Sequence, residues 1–113
     1  MVVDGLSDAE ADRLFHGLAD ATRRDIVVTV LQREQSISSL ARRYDMSFAA
    51  VQKHVAVLER SALVVKRRRG REQLVHGNPD TLRKAARLLD AYETLWRHRV
   101  QAIDALVSEE DRS

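Results

Sequence analysis

The sequence contains no cysteine, which excludes disulfides, thiolate zinc sites and cysteine nucleophiles together. No apolar run approaches the roughly 18 residues needed to span a membrane. The opening Met1-Val2-Val3-Asp4 turns acidic at once and lacks the basic-then-apolar pattern of a signal peptide, so a cytoplasmic location is expected. Also missing are a Gly-rich phosphate loop, a serine in an elbow context, a metal-ligand cluster and paired carboxylates in an apolar setting, and with them any sign of an enzyme. There is no internal repeat and no low-complexity linker. What is present fits one small folded domain over residues 1–113: 44% hydrophobic and 32% charged residues in 113. So short a chain has little spare core, and dimerisation is a ready way to bury more apolar surface.

The net charge of +2 hides a segregation. Residues 1–20 carry five acids against Arg13. Residues 42–72 carry nine Lys/Arg (Arg42, Arg43, Lys53, Arg60, Lys66, Arg67, Arg68, Arg69, Arg71) against Asp45, Glu59 and Glu72, a balance of +6. One basic third inside a nearly neutral chain is the footprint of a polyanion partner, nucleic acid first among them.

Ser7 with Glu10 three residues later makes a capping box for a first helix, with Leu14, Phe15 and Leu18 as its apolar stripe. Gly17 is a mild cost within it. Asp20 caps a second helix carrying Ile26, Val27, Val30 and Leu31 on one face and ending near Glu34. Ser36 caps a short third helix, Asp45-Met46-Ser47 breaks it, and Ser47 caps a fourth. In the fourth, Val51, Val55 and Leu58 line one face while Ala49, Gln52, Lys53, Ala56 and Arg60 line the other. The period then changes. Leu63–Arg67 and Glu72–His76 read as strands joined by Arg68-Arg69-Gly70-Arg71, and pairing Val65 with Leu74 and Val64 with Val75 would match apolar residues. Asn78-Pro79 starts a last helix that runs to about Val107, followed by a frayed tail, Glu109–Ser113. This helix has two apolar stripes: Leu82, Ala86, Leu89, Tyr92, Trp96, Ile103 and Val107, and Leu88, Leu95, Ala102 and Leu106. Two stripes need two partners, the chain's own core and a second copy of the chain.

The fold expected is therefore mainly α with a small β-hairpin: a winged helix-turn-helix of five helices plus a two-stranded wing. The helix-turn-helix spans about 36–61, the wing about 63–76 and the C-terminal dimerisation helix about 79–107. An α-helix fits the major groove, and its N-terminal residues reach base edges. Gln52 suits adenine, and Lys53 suits guanine or a phosphate. Phe48, at the border of the two faces, either packs or touches a thymine methyl. Lys66, Arg67, Arg68, Arg69 and Arg71 on the hairpin suit phosphates or a narrow minor groove. The candidate DNA-contacting set is Ser47, Phe48, Ala49, Gln52, Lys53, His54 and Arg60 on the helix, with those five cations on the wing. A winged helix used to bind protein is the alternative, but it needs neither the basic hairpin nor the Gln-Lys pair.

At these residues the chain resembles the ArsR/SmtB family of winged-helix repressors. Leu18-Ala19-Asp20-Ala21-Thr22-Arg23-Arg24-Asp25-Ile26 looks like that family's helix-two signature, Ser47–Leu58 with Ser61-Ala62-Leu63-Val64 like its recognition helix and exit, and Arg69-Gly70-Arg71 like its wing tip. Ala62 departs from the glycine usual at that helix end, so the turn is expected to be tighter or more strained. The resemblance implies a homodimer joined by the first and last helices, through Leu14, Phe15, Leu18, Leu82, Leu89, Tyr92, Trp96 and Ile103. It also implies a repressor that occludes a palindromic double-stranded DNA operator, often its own promoter. His54 lies where the family often has histidine, for a structural hydrogen bond or a phosphate contact. The family's metal patterns are broken here: Ser36-Ile37-Ser38-Ser39-Leu40 replaces Cys-x-Cys, Asp90-Ala91-Tyr92 lacks the histidine of Asp-x-His, and His98-Arg99-Val100-Gln101 lacks the acid of His-x-x-Glu. Zinc needs three or four converging ligands, so His16 and His98 read as polar residues at helix edges. A member of the non-metal-sensing type, without cofactor, is expected. No residue pattern points to a particular small-molecule inducer.

Overall fold

The computed structural model describes residues 5–112, with side chains to residue 110. Met1–Asp4, read above for a signal peptide, and Ser113 of the tail lie outside the described residues. The element order is α1 (Asp8–Gly17), α2 (Ala21–Gln32), β1 (Gln35–Ser36), α3 (Ile37–Tyr44), α4 (Phe48–Arg60), β2 (Val64–Arg69), β3 (Glu72–Gly77) and α5 (Pro79–Arg112).

Polar caps set the helix starts. Ser7 Oγ accepts from the Glu10 amide at 3.1 Å, and Glu10 Oε1 accepts from the Ser7 amide at 3.3 Å. Asp20 accepts from the Arg23 amide, Ser36 from Ser39 and Ser47 from Ala50, all within 3.1 Å. The second helix contributes more than its own cap. Arg23 donates from Nε to the Gly17 carbonyl and from Nη2 to the His16 carbonyl, both at 2.9 Å, and Arg24 donates to the Leu18 carbonyl at 2.7 Å. Two guanidinium groups of α2 thus satisfy the last carbonyls of α1, which carry the negative end of its dipole.

The core is one cluster between α1, α2, α3, α4 and the sheet, built on Leu14, Ile26, Ile37, Leu40, Val51, Val55, Leu58, Leu63, Val64 and Val75. Gly17 is what lets α1 meet the end of α4. A Cβ there would lie 2.6 Å from Ser61 Oγ and 3.0 Å from Leu63 Cδ1, and Ser61 Oγ lies 2.8 Å from the Arg13 carbonyl, to which it donates.

The sheet differs from expectation in two ways. It has three strands in the order β1-β3-β2, because Gln35 and Ser36 pair with Val75 and Leu74. The hairpin register is also shifted by two residues: Val65 pairs with His76, Val64 with Gly77, Lys66 with Val75 and Arg67 with Leu74. The turn sets this. Arg69 pairs with Glu72, leaving a two-residue loop with Gly70 at φ +62°. A slip of two preserves which side chains face inward, so Val64 and Val75 stay buried while Val65 is exposed.

The fourth helix ends in a Schellman motif: the Leu63 amide donates to the Leu58 carbonyl and the Ala62 amide to Glu59, both at 3.0 Å. Ala62 therefore sits at φ +58°, the left-handed region where a Cβ is unfavourable. Ala62→Gly should raise stability by about 1 kcal/mol, read as a Tm rise of about 4–8 °C by circular dichroism. An unchanged or lower Tm would count against strain at this turn.

The last helix begins at Asn78, whose Nδ2 donates to the Ala62 carbonyl at 3.0 Å and to Thr81 Oγ1 at 3.2 Å. It runs through Arg112, so the tail expected to fray from Glu109 is helical as far as described. Its 34 residues make a rod of about 51 Å at 1.5 Å per residue, and the molecule extends 75 Å along its longest axis. The two-stripe reading is also revised. The helix is divided along its length, not by face: Thr81, Ala85 and Leu88 are buried against the core, and from Leu89 to Glu110 no residue is buried.

Candidate nucleic-acid interface

The third and fourth helices meet at Asp45, the left-handed C-cap of α3 at φ 51°, a conformation that aspartate tolerates. Tyr44 at the end of α3 donates to Asp25 Oδ2 of α2 at 2.5 Å, and the Arg43 guanidinium lies 3.7 Å from the same carboxylate. Burial, then the bond to Asp25, pushes the Tyr44 phenol above its ordinary pKa. This tie fixes the end of α3 and so the start of α4.

The outer side of α4 presents Ala49, Gln52, Lys53 and Ala56, which with Lys66 of β2 line one open depression. A second cleft runs between the start of α3, the start of α4 and the hairpin, lined by Ser38, Phe48, Gln52, Arg68, Arg71 and Gln73 among others. Phe48 is 47% exposed there, so its ring is not absorbed into the core. Ser47 is exposed at the cap. His54 turns towards α2, with Nδ1 3.9 Å from Asp20 Oδ2. Arg60 lies apart from the rest. It sits at the far end of α4, about 18 Å along the helix, in a separate cleft with Arg13 and Lys84.

The hairpin cations fall into two groups. Lys66 Nζ lies 3.4 Å from Glu59 Oε1. Arg67 donates twice to Glu34, Nε to Oε2 at 3.2 Å and Nη2 to Oε1 at 3.0 Å. These bonds hold the Glu34 carboxyl below the usual carboxylate range and raise the Arg67 guanidinium in turn. His76 Nδ1 lies 3.5 Å from Glu34 Oε2 and has no hydrogen-bond partner. At the tip, Arg68 donates to the Gly70 carbonyl at 3.2 Å, and Arg69 and Arg71 are exposed. None of these three has a carboxylate partner among the described residues. Glu34 and Glu59 were not singled out in the sequence. Their pairing depends on which strand lies beside which, and no local pattern carries that.

Of the residues expected at a subunit interface, Leu14 is enclosed in its own core with no exposed surface, so it has nothing to offer a partner. Leu18 and Leu82 are partly buried against that core. Phe15 is 38% exposed, while Leu89, Tyr92, Trp96 and Ile103 are 48–62% exposed and carry most of the free apolar area. Among the described residues no three His, Asp or Glu gather as a metal site, and no helix is long and apolar enough to cross a membrane.

No protein-family model matches the chain. It is 34% identical over 83 residues to the HTH-type transcriptional regulator Rv2034 of Mycobacterium tuberculosis, covering 74% of this chain and 78% of that protein. The structure of an ArsR-like transcriptional regulator from Rhodococcus sp. RHA1 superposes with a TM-score of 0.82 at 34% identity, over 89% of this chain and 93% of that one. The homodimeric winged helix-turn-helix DNA-binding domain Mb0332 from Mycobacterium bovis shares the fold at 24% identity and a TM-score of 0.63, over 80% and 92% of the two chains. The caps, the helix-turn-helix, the basic wing and these likenesses agree: the chain belongs to the ArsR family of winged helix-turn-helix transcriptional regulators, and it is not an enzyme.

Proposed function

We propose that the chain is a cytoplasmic repressor that binds a palindromic DNA operator as a homodimer, with its own promoter as the first place to look. The observation that carries this reading is the placement of Gln52 and Lys53 on the exposed side of α4, flanked by the tip cations Arg68, Arg69 and Arg71. In this reading α4 enters the major groove, Gln52 contacts a base edge, Lys53 contacts guanine or phosphate, and the wing tip holds backbone. Ser47, Phe48 and Ala49 lie in the first turn against the groove. His54 and Arg60 face elsewhere in the subunit and have lesser parts.

The test is footprinting of the DNA upstream of the gene, followed by titrations on the protected site and on random duplex. Gln52→Ala should cost about 1–3 kcal/mol on the operator and much less on random duplex, because a base contact carries sequence information. Equal losses on both would remove Gln52 from base readout. A chain that protects no site and binds no duplex at low salt would overturn the proposal.

Release by metal is not expected, since the broken ligand patterns leave too few converging donors for zinc. Stoichiometric zinc, cadmium or arsenite should leave the operator complex intact in an anisotropy assay. Tight zinc binding in calorimetry, coupled to lost DNA affinity, is the contrary result.

A further inference from the structure

Glu34 sits in the two-residue link between α2 and β1. Extending the β1–β3 register by one pair sets it opposite His76. Arg67 comes from β2, on the other side of β3, two residues along from Val65, the partner of His76. The Glu34–Arg67 pair therefore bridges the central strand of the sheet. It is a two-bond fork, the same geometry a guanidinium uses to grip a phosphate. Of the five hairpin cations Arg67 alone is held this way; Lys66 has a single contact at 3.4 Å, and the three tip arginines have no carboxylate among the described residues.

We propose that Glu34 is an internal stand-in for a DNA phosphate: it occupies Arg67 in the free protein, so a duplex must displace a carboxylate to recruit that arginine, and the wing's grip on any DNA is weakened accordingly. The inference rests on the DNA-binding reading above. The Arg67 side chain is 54% exposed and that of Glu34 31%, so water screens the pair and a phosphate can compete for it. His76 Nδ1, otherwise unpartnered, stays beside the carboxylate when Arg67 leaves. Glu34 is thus a positioning residue that acts on DNA through Arg67, lowering sequence-independent affinity more than it changes the choice of operator.

The experiment is a salt titration of a labelled random-sequence duplex between about 50 and 200 mM, where counterion release is readily measured. The wild-type chain, Glu34→Gln and Glu34→Ala are compared, each with and without Arg67→Ala. Both Glu34 variants should bind about 10-fold more tightly, and their log–log salt slopes should steepen by about one for each wing engaged. Both gains should vanish when Arg67→Ala is added. Unchanged or weaker binding in the two Glu34 variants, with or without loss of fold in a thermal melt, would assign the pair a purely structural role and overturn the proposal. So would a gain that persists without Arg67, since simple loss of negative charge then explains it. A wild-type chain that binds no duplex at all would overturn the functional reading, whatever the Glu34 variants do.

Discussion

Replacing Arg68, Arg69 and Arg71 together by alanine should reduce affinity for operator and random duplex alike, by roughly 10³-fold near 0.1 M salt if both wings of a dimer touch DNA. These three arginines stand at the hairpin tip, exposed and without carboxylate partners among the described residues. They are therefore free to exchange condensed counterions for protein charge. Each phosphate contact contributes about 0.9 to the slope of log affinity against log salt, so losing six per dimer should flatten it by about five. None of the three belongs to the buried core, so the thermal melt should barely move. A loss confined to the operator, with the random-duplex slope unchanged, would mean that the tip reads bases or minor-groove shape instead.

The second large effect concerns the distal half of α5. The wild-type chain at micromolar concentration should sediment at twice its 12.8 kDa mass. Leu89, Tyr92, Leu95, Trp96, Ile103, Leu106 and Val107 are each about half exposed or more, an apolar surface that a lone soluble subunit seldom leaves open. Trp96→Glu should convert the protein to monomer. Burying one tryptophan side chain removes about 150–250 Å² from water, and a two-fold interface loses it twice. At about 25 cal/mol per Å², dimerisation should weaken by at least 10³-fold. Trp96 is the only tryptophan in the chain, so dilution of the wild type provides its own readout: emission should shift to the red as the dimer parts. A wild-type monomer, or a Trp96→Glu dimer of undiminished affinity, would remove α5 from the interface and with it the expectation of a palindromic operator.

Much of the fold could be read from single residues because helix starts are local events. Ser7, Asp20, Ser36, Ser47 and Asn78 each meet their own amides or near neighbours a few residues on, and a spacing of three in sequence suffices to find them. The strain expected at Ala62 was legible for the same reason: a helix must end there, and only a left-handed residue closes the turn. Register was not legible. Matching apolar residues across the hairpin put Val65 opposite Leu74, whereas the two-residue loop at Gly70 and Arg71 decides the pairing. The strand at Gln35 and Ser36 is two residues long and has no period to detect. Without it, nothing brings Glu34 near Arg67, and five hairpin cations look equivalent when they are not. The last helix was misjudged because a stripe marks which side is apolar but not how far along its length the body reaches.

The contact between Gly17 and Ser61 bears on where the molecule can flex. With Ser61 Oγ 2.6 Å from where a Cβ on Gly17 would lie and 2.8 Å from the Arg13 carbonyl, there is no clearance for α1 to slide over the end of α4. The arginine bonds from α2 hold the same end of α1 from the other side. Three helices are thereby keyed together at one corner, and a push on any of them is passed to the other two without play. Mechanical freedom is left to the two parts outside that corner, the hairpin tip and the free length of α5. The subunit is a stiff block with one compliant finger and one long lever, and the lever is joined to the block just where α4 ends, through Asn78 and the Ala62 carbonyl.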